Sequence, residues 1–126
     1  MIVTASLILF TALTGIVILF QLGLAASMPW GAASMGGKYP GKYPPKMRLV
    51  AIVNAVILGG MLVIAWVRAG RVFPELQSIS SVGIWVMVVF FALGTVMNAI
   101  TPSKIERIWV PVVLLQLISS LVLALP

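Results

Sequence analysis

The chain has 126 residues, 62% of them hydrophobic and 8% charged, with a mean hydropathy of +1.21. A soluble domain carries about 25% charged residues, so this composition excludes an ordinary water-soluble surface and puts lipid in its place. Eight Lys and Arg against two acidic residues give a net charge of +6; because they flank apolar runs, they read as topology determinants and contacts for anionic lipid headgroups, and nucleic acid is not expected as a partner. The sequence contains no Cys, His or Asp, which removes disulfides, thiol chemistry and the usual zinc and haem ligands, so no metal or cofactor is expected.

Four runs are long enough to cross a bilayer core of about 30 Å at about 1.5 Å per residue. The first, Ile2 to Ala26, carries no charge and is too long for a signal-peptide core, so it reads as a retained span. The second is Leu49 to Val67, the third Ser80 to Ile100 and the fourth Ile108 to Leu125. In lipid every backbone polar group must be satisfied internally, so the choice is helix or closed barrel. Runs such as Ile84–Leu93, IWVMVVFFAL, lack the alternation of a barrel strand. The expected fold is a single all-α domain, a bundle of four transmembrane helices with a long first loop, 27–48, partly interfacial or re-entrant.

Helical periodicity marks the faces that meet. Thr4, Thr11, Thr14, Gly15 and Gln21 share one face of the first helix; Ser80, Gly83, Met87, Gly94, Asn98 and Thr101 share a stripe of the third; Gln116, Ser119 and Ser120 lie on one side of the fourth. Small and weakly polar residues mark packed interfaces between membrane helices, so these stripes read as the bundle seam. They also allow a polar cavity lined by Gln21, Asn54, Asn98 and Gln116, since an amide facing lipid is costly. On the seam reading, Asn98 finds a partner across the helix interface.

The first loop, SMPWGAASMGGKYPGKYPPKMR, is where the unusual residues collect. Its first half is apolar and small, with Trp30, Gly36 and Gly37 as candidate functional positions in a segment that lies in the interface or dips into the bundle. Its second half repeats Lys-Tyr-Pro, and Lys38, Tyr39, Lys42, Tyr43 and Lys46 read as headgroup contacts. In the third loop, Ser103 and Glu106 form a capping-box pattern, with Thr101-Pro102 an alternative helix start. Pro111 is expected to kink the last helix. Six Lys or Arg in the first and third loops, against Arg68 and Arg71 in the second, place the first and third loops in the cytoplasm and both termini outside. There Glu106 is the only carboxylate, and Arg48 is its expected ion-pair partner.

Catalysis has little material: Glu75 and Glu106 fall on opposite sides of this topology, and no nucleophile triad or phosphate loop is present. Small multidrug transporters depend on a first-helix glutamate, fluoride channels on a Gly-Ala-Arg signature, and membrane thiol oxidoreductases on cysteines; all are missing here. The chain resembles a family of small bacterial four-helix membrane proteins in Pro29-Trp30-Gly31, Gly36-Gly37, Pro44 and Arg48. The likeness continues in Asn98, Thr101-Pro102-Ser103, Glu106-Arg107, Trp109 and Pro111. That resemblance implies a bacterial inner-membrane protein and supplies no activity. The expected role is non-enzymatic, an accessory or interaction subunit with a protein partner or a second copy. The alternative is a small solute or ion carrier using the polar seam, with Arg48, Asn54, Asn98, Glu106 and Arg107 among its candidate residues.

Overall fold

The computed structural model describes residues 1–126 and contains helices and turns only. Four long helices form the bundle: α1 (Ile2–Ala25), α2 (Pro45–Arg68), α3 (Gln77–Ile100) and α4 (Trp109–Ala124). Each, with its leading turn where it has one, is long and apolar enough to cross a membrane. The chain runs up and down, so that α1 lies beside α2 and α4, and α3 beside α4 and α2. One end, the loop face, carries the first and third connections; the other carries the second connection and both termini.

Two helix starts differ from the sequence expectation. α2 begins at Pro45, not Leu49, and brings Lys46 and Arg48 onto its first turn. Pro44 is extended and Pro45 sits where a missing N–H costs nothing, so charge near the start was no barrier to helix. α3 begins at Gln77, not Ser80, after a single 3-10 turn at Pro74–Leu76. Pro111 does not kink a helix interior. The Glu106–Ile108 turn is 3-10 and α4 starts at Trp109, so Pro111 falls in the first α turn, where backbone N–H groups lack intrahelical partners.

The main core lies toward the far face, where Phe10 meets Phe91 edge-on at 5.6 Å among Leu7, Ile84, Met87 and Leu123. Close approach is set by two glycines of the expected stripe. A Cβ on Gly83 would lie 3.2 Å from Ile64 of α2, and one on Gly94 would lie 3.2 Å from Val113 of α4. Gly15 is different, with nothing within 4 Å of the position its Cβ would take. The threonines of α1 do bond across the seam: Trp66 Nε1 donates to Thr11 Oγ1 at 3.1 Å, and Gln116 Nε2 to the fully buried Thr14 Oγ1 at 3.1 Å. Arg71 donates to Thr4 Oγ1.

Arginines close the helix ends. A helix C-terminus leaves carbonyls without intrahelical donors and carries partial negative charge. Arg48 Nε donates to Ala25 O of α1 at 2.7 Å, and Arg68 donates to Leu123 O and Ala124 O of α4 at 2.9 and 3.1 Å. Arg107 reaches Thr101 O, just past α3, at 3.0 Å through Nη2. Three of the four arginines therefore serve a helix other than the one they begin or end.

Glycine substitutions separate close packing from mere smallness. A Cβ on Gly23 would overlap the Trp30 ring at 2.0 Å. Gly23→Ala should therefore lose about 1–3 kcal/mol as that ring is displaced, while Gly15→Ala should gain about 0.5–1 kcal/mol from helix propensity. Thermal melts in detergent check the opposite signs, and tryptophan emission should shift to the red only in Gly23→Ala.

Candidate functional site: a cavity beneath the first loop

The first connection folds over the bundle as two 3-10 turns, Gly31–Ala33 and Met35–Gly37. Its own closure comes from Gly31 N–H donating to Gly41 O at 2.9 Å. A side chain at Gly31 is impossible there, because its Cβ would sit 1.8 Å from Tyr39 O. Ser34 Oγ donates to Gly31 O at 3.0 Å and is also hydrogen-bonded to the Tyr43 hydroxyl.

Three bonds then tie this loop to the third connection. The Gly36 N–H donates to both carboxylate oxygens of Glu106 at 3.2 Å, Ser103 Oγ donates to Ala32 O, and Trp109 Nε1 donates to Ala33 O at 2.9 Å. Met35, Gly36 and Gly37 all have positive φ, from 50° to 75°. That left-handed run is natural for the two glycines and strained for Met35. It turns the Gly36 amide toward Glu106.

An aromatic stack completes the attachment. Phe20 of α1 lies parallel to Trp30 at 6.0 Å and tilted against Trp109 at 4.7 Å. Trp30 remains 39% exposed on its outer side. Gly23, a turn along α1 from Phe20, makes the space its ring needs.

Beneath the loop is a cavity of about 280 Å³. Gln21, Asn54, Asn98 and Gln116 all line it, the set the sequence allowed as a polar cavity. Most of the wall is apolar or aromatic, including Phe20, Phe90, Phe91 and Trp109, with Ser34 and Tyr43 in the roof. Glu106 is the single charged residue of the lining. A groove between the ends of α2 and α3, with Met47, Met97 and Ile100 on its sides, shares Met35, Asn98 and Glu106 with the cavity.

Several expectations need correction. Asn98 does not cross the seam: its Nδ2 donates to Gly94 O, one turn back on α3, at 2.7 Å. The capping box is half formed. Glu106 N–H donates to Ser103 Oγ at 3.3 Å, but the carboxylate points to Gly36, and Ser103 N–H is taken by Thr101 Oγ1 at 3.2 Å. Arg48 meets the Ala25 carbonyl in place of Glu106, because α2 starts early and the guanidinium reaches the end of α1. Tyr43 is not a headgroup contact; it is 5% exposed, packed with Leu24 and Ala51. Burial and the nearby Glu106 charge push its phenol above the usual tyrosine range, against the lowering effect of the Ser34 bond.

The remaining candidates are placed as follows. Lys38, Lys42 and Lys46 are exposed, with Lys38 Nζ 5.8 Å from the ring of the half-buried Tyr39. Arg107 is exposed at its Thr101 cap. Phe20, Ser34, Met35, Phe90 and Phe91 escaped the sequence reading, since in an apolar run nothing distinguishes a cavity wall from a lipid-facing side chain. Trp109, one residue of the motif before the last helix, was the available signal for the roof.

Fold and site together define a polytopic helical membrane protein with a partly open cavity roofed by its first loop. No family model, curated protein or solved structure matches the chain, and the likeness to small bacterial four-helix proteins rests on the motifs that carry it.

The geometry of Glu106 makes a double-mutant test decisive. Glu106→Ala leaves the Gly36 N–H without an acceptor and should cost about 1–3 kcal/mol; Glu106→Gln retains an oxygen and should be milder. Arg48→Ala should add to either within about 0.5 kcal/mol, since the two side chains serve different backbone groups. Gly36 and Glu106 substitutions should instead be non-additive. Thermal melts of the single and double variants in detergent measure all of these.

Proposed function

We propose that the chain is a non-enzymatic integral membrane protein that binds a small ligand with an apolar body in the cavity beneath its first loop, as the binding site of a carrier. The observation that carries this reading is the cavity itself. Four amides converge on one apolar chamber of about 280 Å³, roughly twice the ~150 Å³ of an engineered apolar cavity that holds benzene. Pockets for small molecules are mostly apolar, with a few placed polar groups that fix orientation. An accessory-subunit role is a second reading; a partner would then use the same outward apolar helix faces that meet lipid.

The reading places the protein in a bacterial inner membrane, following the motif resemblance, with the loop face in the cytoplasm. Charge supports the orientation more strongly once the arginine caps are set aside. All four lysines, Lys38, Lys42, Lys46 and Lys104, are exposed on the loop face, where they are free to act as topology determinants and to meet anionic headgroups.

The binding reading is tested with 2-naphthylmethanol, a neutral probe of suitable size. Saturable quenching of tryptophan emission and a raised melting temperature are expected in detergent-solubilised protein; at a hundred times Kd the stabilisation approaches about 2.7 kcal/mol. Asn54→Phe, which fills the chamber from α2, should weaken binding by at least about tenfold. Absence of saturable binding would overturn the cavity reading.

Orientation is tested independently in intact cells. Single cysteines at Lys42 and Lys104 should be shielded from an impermeant reagent, and one at Gln77 should label. The reverse pattern would invert the topology.

A further inference from the structure

Resting on the cavity reading, we infer that its ligand is an amphipathic amine, with the ammonium group held by Glu106 and the body against the aromatic wall. Some of the chamber's polar valences are already used. Asn98 spends its Nδ2 on Gly94 O at 2.7 Å, and Gln116 spends its Nε2 on Thr14 Oγ1 at 3.1 Å. Each is thereby oriented, with its carbonyl oxygen and its second N–H left without a partner. Glu106 accepts from a single N–H, shared between its two oxygens at 3.2 Å, although a carboxylate offers about four acceptor sites. Glu106 is therefore the strongest acceptor left open in the chamber, and a ligand that complements it brings N–H donors.

Charge selects among donors. Glu106 is the only charged residue in the lining, which contains no Lys or Arg. An anionic ligand would meet that carboxylate with nothing to offset it; a neutral alcohol would satisfy one acceptor and leave the charge. An ammonium satisfies both, and its three N–H groups match the carboxylate and the amide oxygens. The faces of Phe20, Phe90 and Trp109 add a favourable surface for a cation and its apolar body. Lys38 lies in the outer groove and not in the chamber. With the other exposed lysines it disfavours a cation at the loop face, so the amine's preference must come from Glu106 within the chamber.

Three probes of one shape separate the ligand's charge from its body: 2-naphthylmethylamine, 2-naphthylmethanol and 2-naphthoate, titrated at pH 7 into the wild-type protein in a neutral detergent. The amine should bind about 10–100-fold more tightly than the alcohol, the range of one charge-assisted hydrogen bond, and the naphthoate most weakly. Glu106→Gln should remove the amine's advantage while leaving the alcohol's affinity in place. Glu75→Gln, the same charge change on the opposite face, should leave the amine's advantage intact. If the alcohol binds and the amine binds no better, the amine assignment fails and the cavity reading survives. Failure of all three probes would overturn both. An amine preference that persists in Glu106→Gln would also overturn the assignment, and should that variant not fold, the wild-type order of the three probes decides.

Discussion

The clasp between the first and third connections is the interaction on which the rest of this structure depends. At the edge of a membrane, backbone groups in a folded-back loop cannot count on water, and each one left unpaired in a buried setting costs about 1–3 kcal/mol. Ala32 O, Ala33 O and Gly36 N–H are met by Ser103, Trp109 and Glu106. All three partners sit within one short stretch at the entrance to α4. The loop can therefore lie over the bundle as a roof only while α3 and α4 hold that stretch in place. The Trp30–Phe20–Trp109 stack adds the apolar half of the same attachment. Loop position, helix entry and cavity shape are one mechanical unit.

The basic residues divide into two kinds by the same reasoning. A guanidinium with several fixed donors suits a helix C-terminus with several free carbonyls, and Arg48, Arg68 and Arg107 are all used that way. A lysine ammonium is more strongly hydrated and is better left at the surface. That is where Lys38, Lys42, Lys46 and Lys104 stand. A count that treats all eight cations alike understates how one-sided the free charge is.

Much of the fold was legible because lipid leaves so few options. Apolar length alone identified all four spans, and all four helix ends fell within a residue of expectation, at Ala25, Arg68, Ile100 and Ala124. The early start of α2 was less legible, since Pro44-Pro45-Lys46 carries turn and charge signals although Pro45 is legal at a first helical position. Tyr43 was misplaced because Lys-Tyr-Pro reads as interfacial twice over, while only Tyr39 stays partly outside and Tyr43 turns in to Ser34. The Ser103–Glu106 spacing anticipated the bond from Glu106 N–H to Ser103 Oγ, but α4 starts only at Trp109 and the carboxylate goes to Gly36. A contact across 70 positions leaves no trace in local spacing. The four amides were the reverse case, legible as a set because amides in lipid-length runs need a reason.

That reason bears on why the chamber exists. Membrane helices gain nothing from hiding apolar surface from lipid, so a bundle is held by close packing, and packing is what a cavity gives up. The chamber of about 280 Å³ is partly open to the outside, yet it still withholds contacts that its walls would otherwise make. Filling it would require only larger apolar side chains at Asn54 or Asn98. The chain instead keeps amides there, orients two of them through hydrogen bonds to Gly94 and Thr14, and places its one loop-face carboxylate at the edge. Phe91 belongs to both regions, meeting Phe10 in the far-face core and lining the chamber. The four amides and the carboxylate thus gather at the loop end of the bundle, around a chamber whose walls are otherwise apolar.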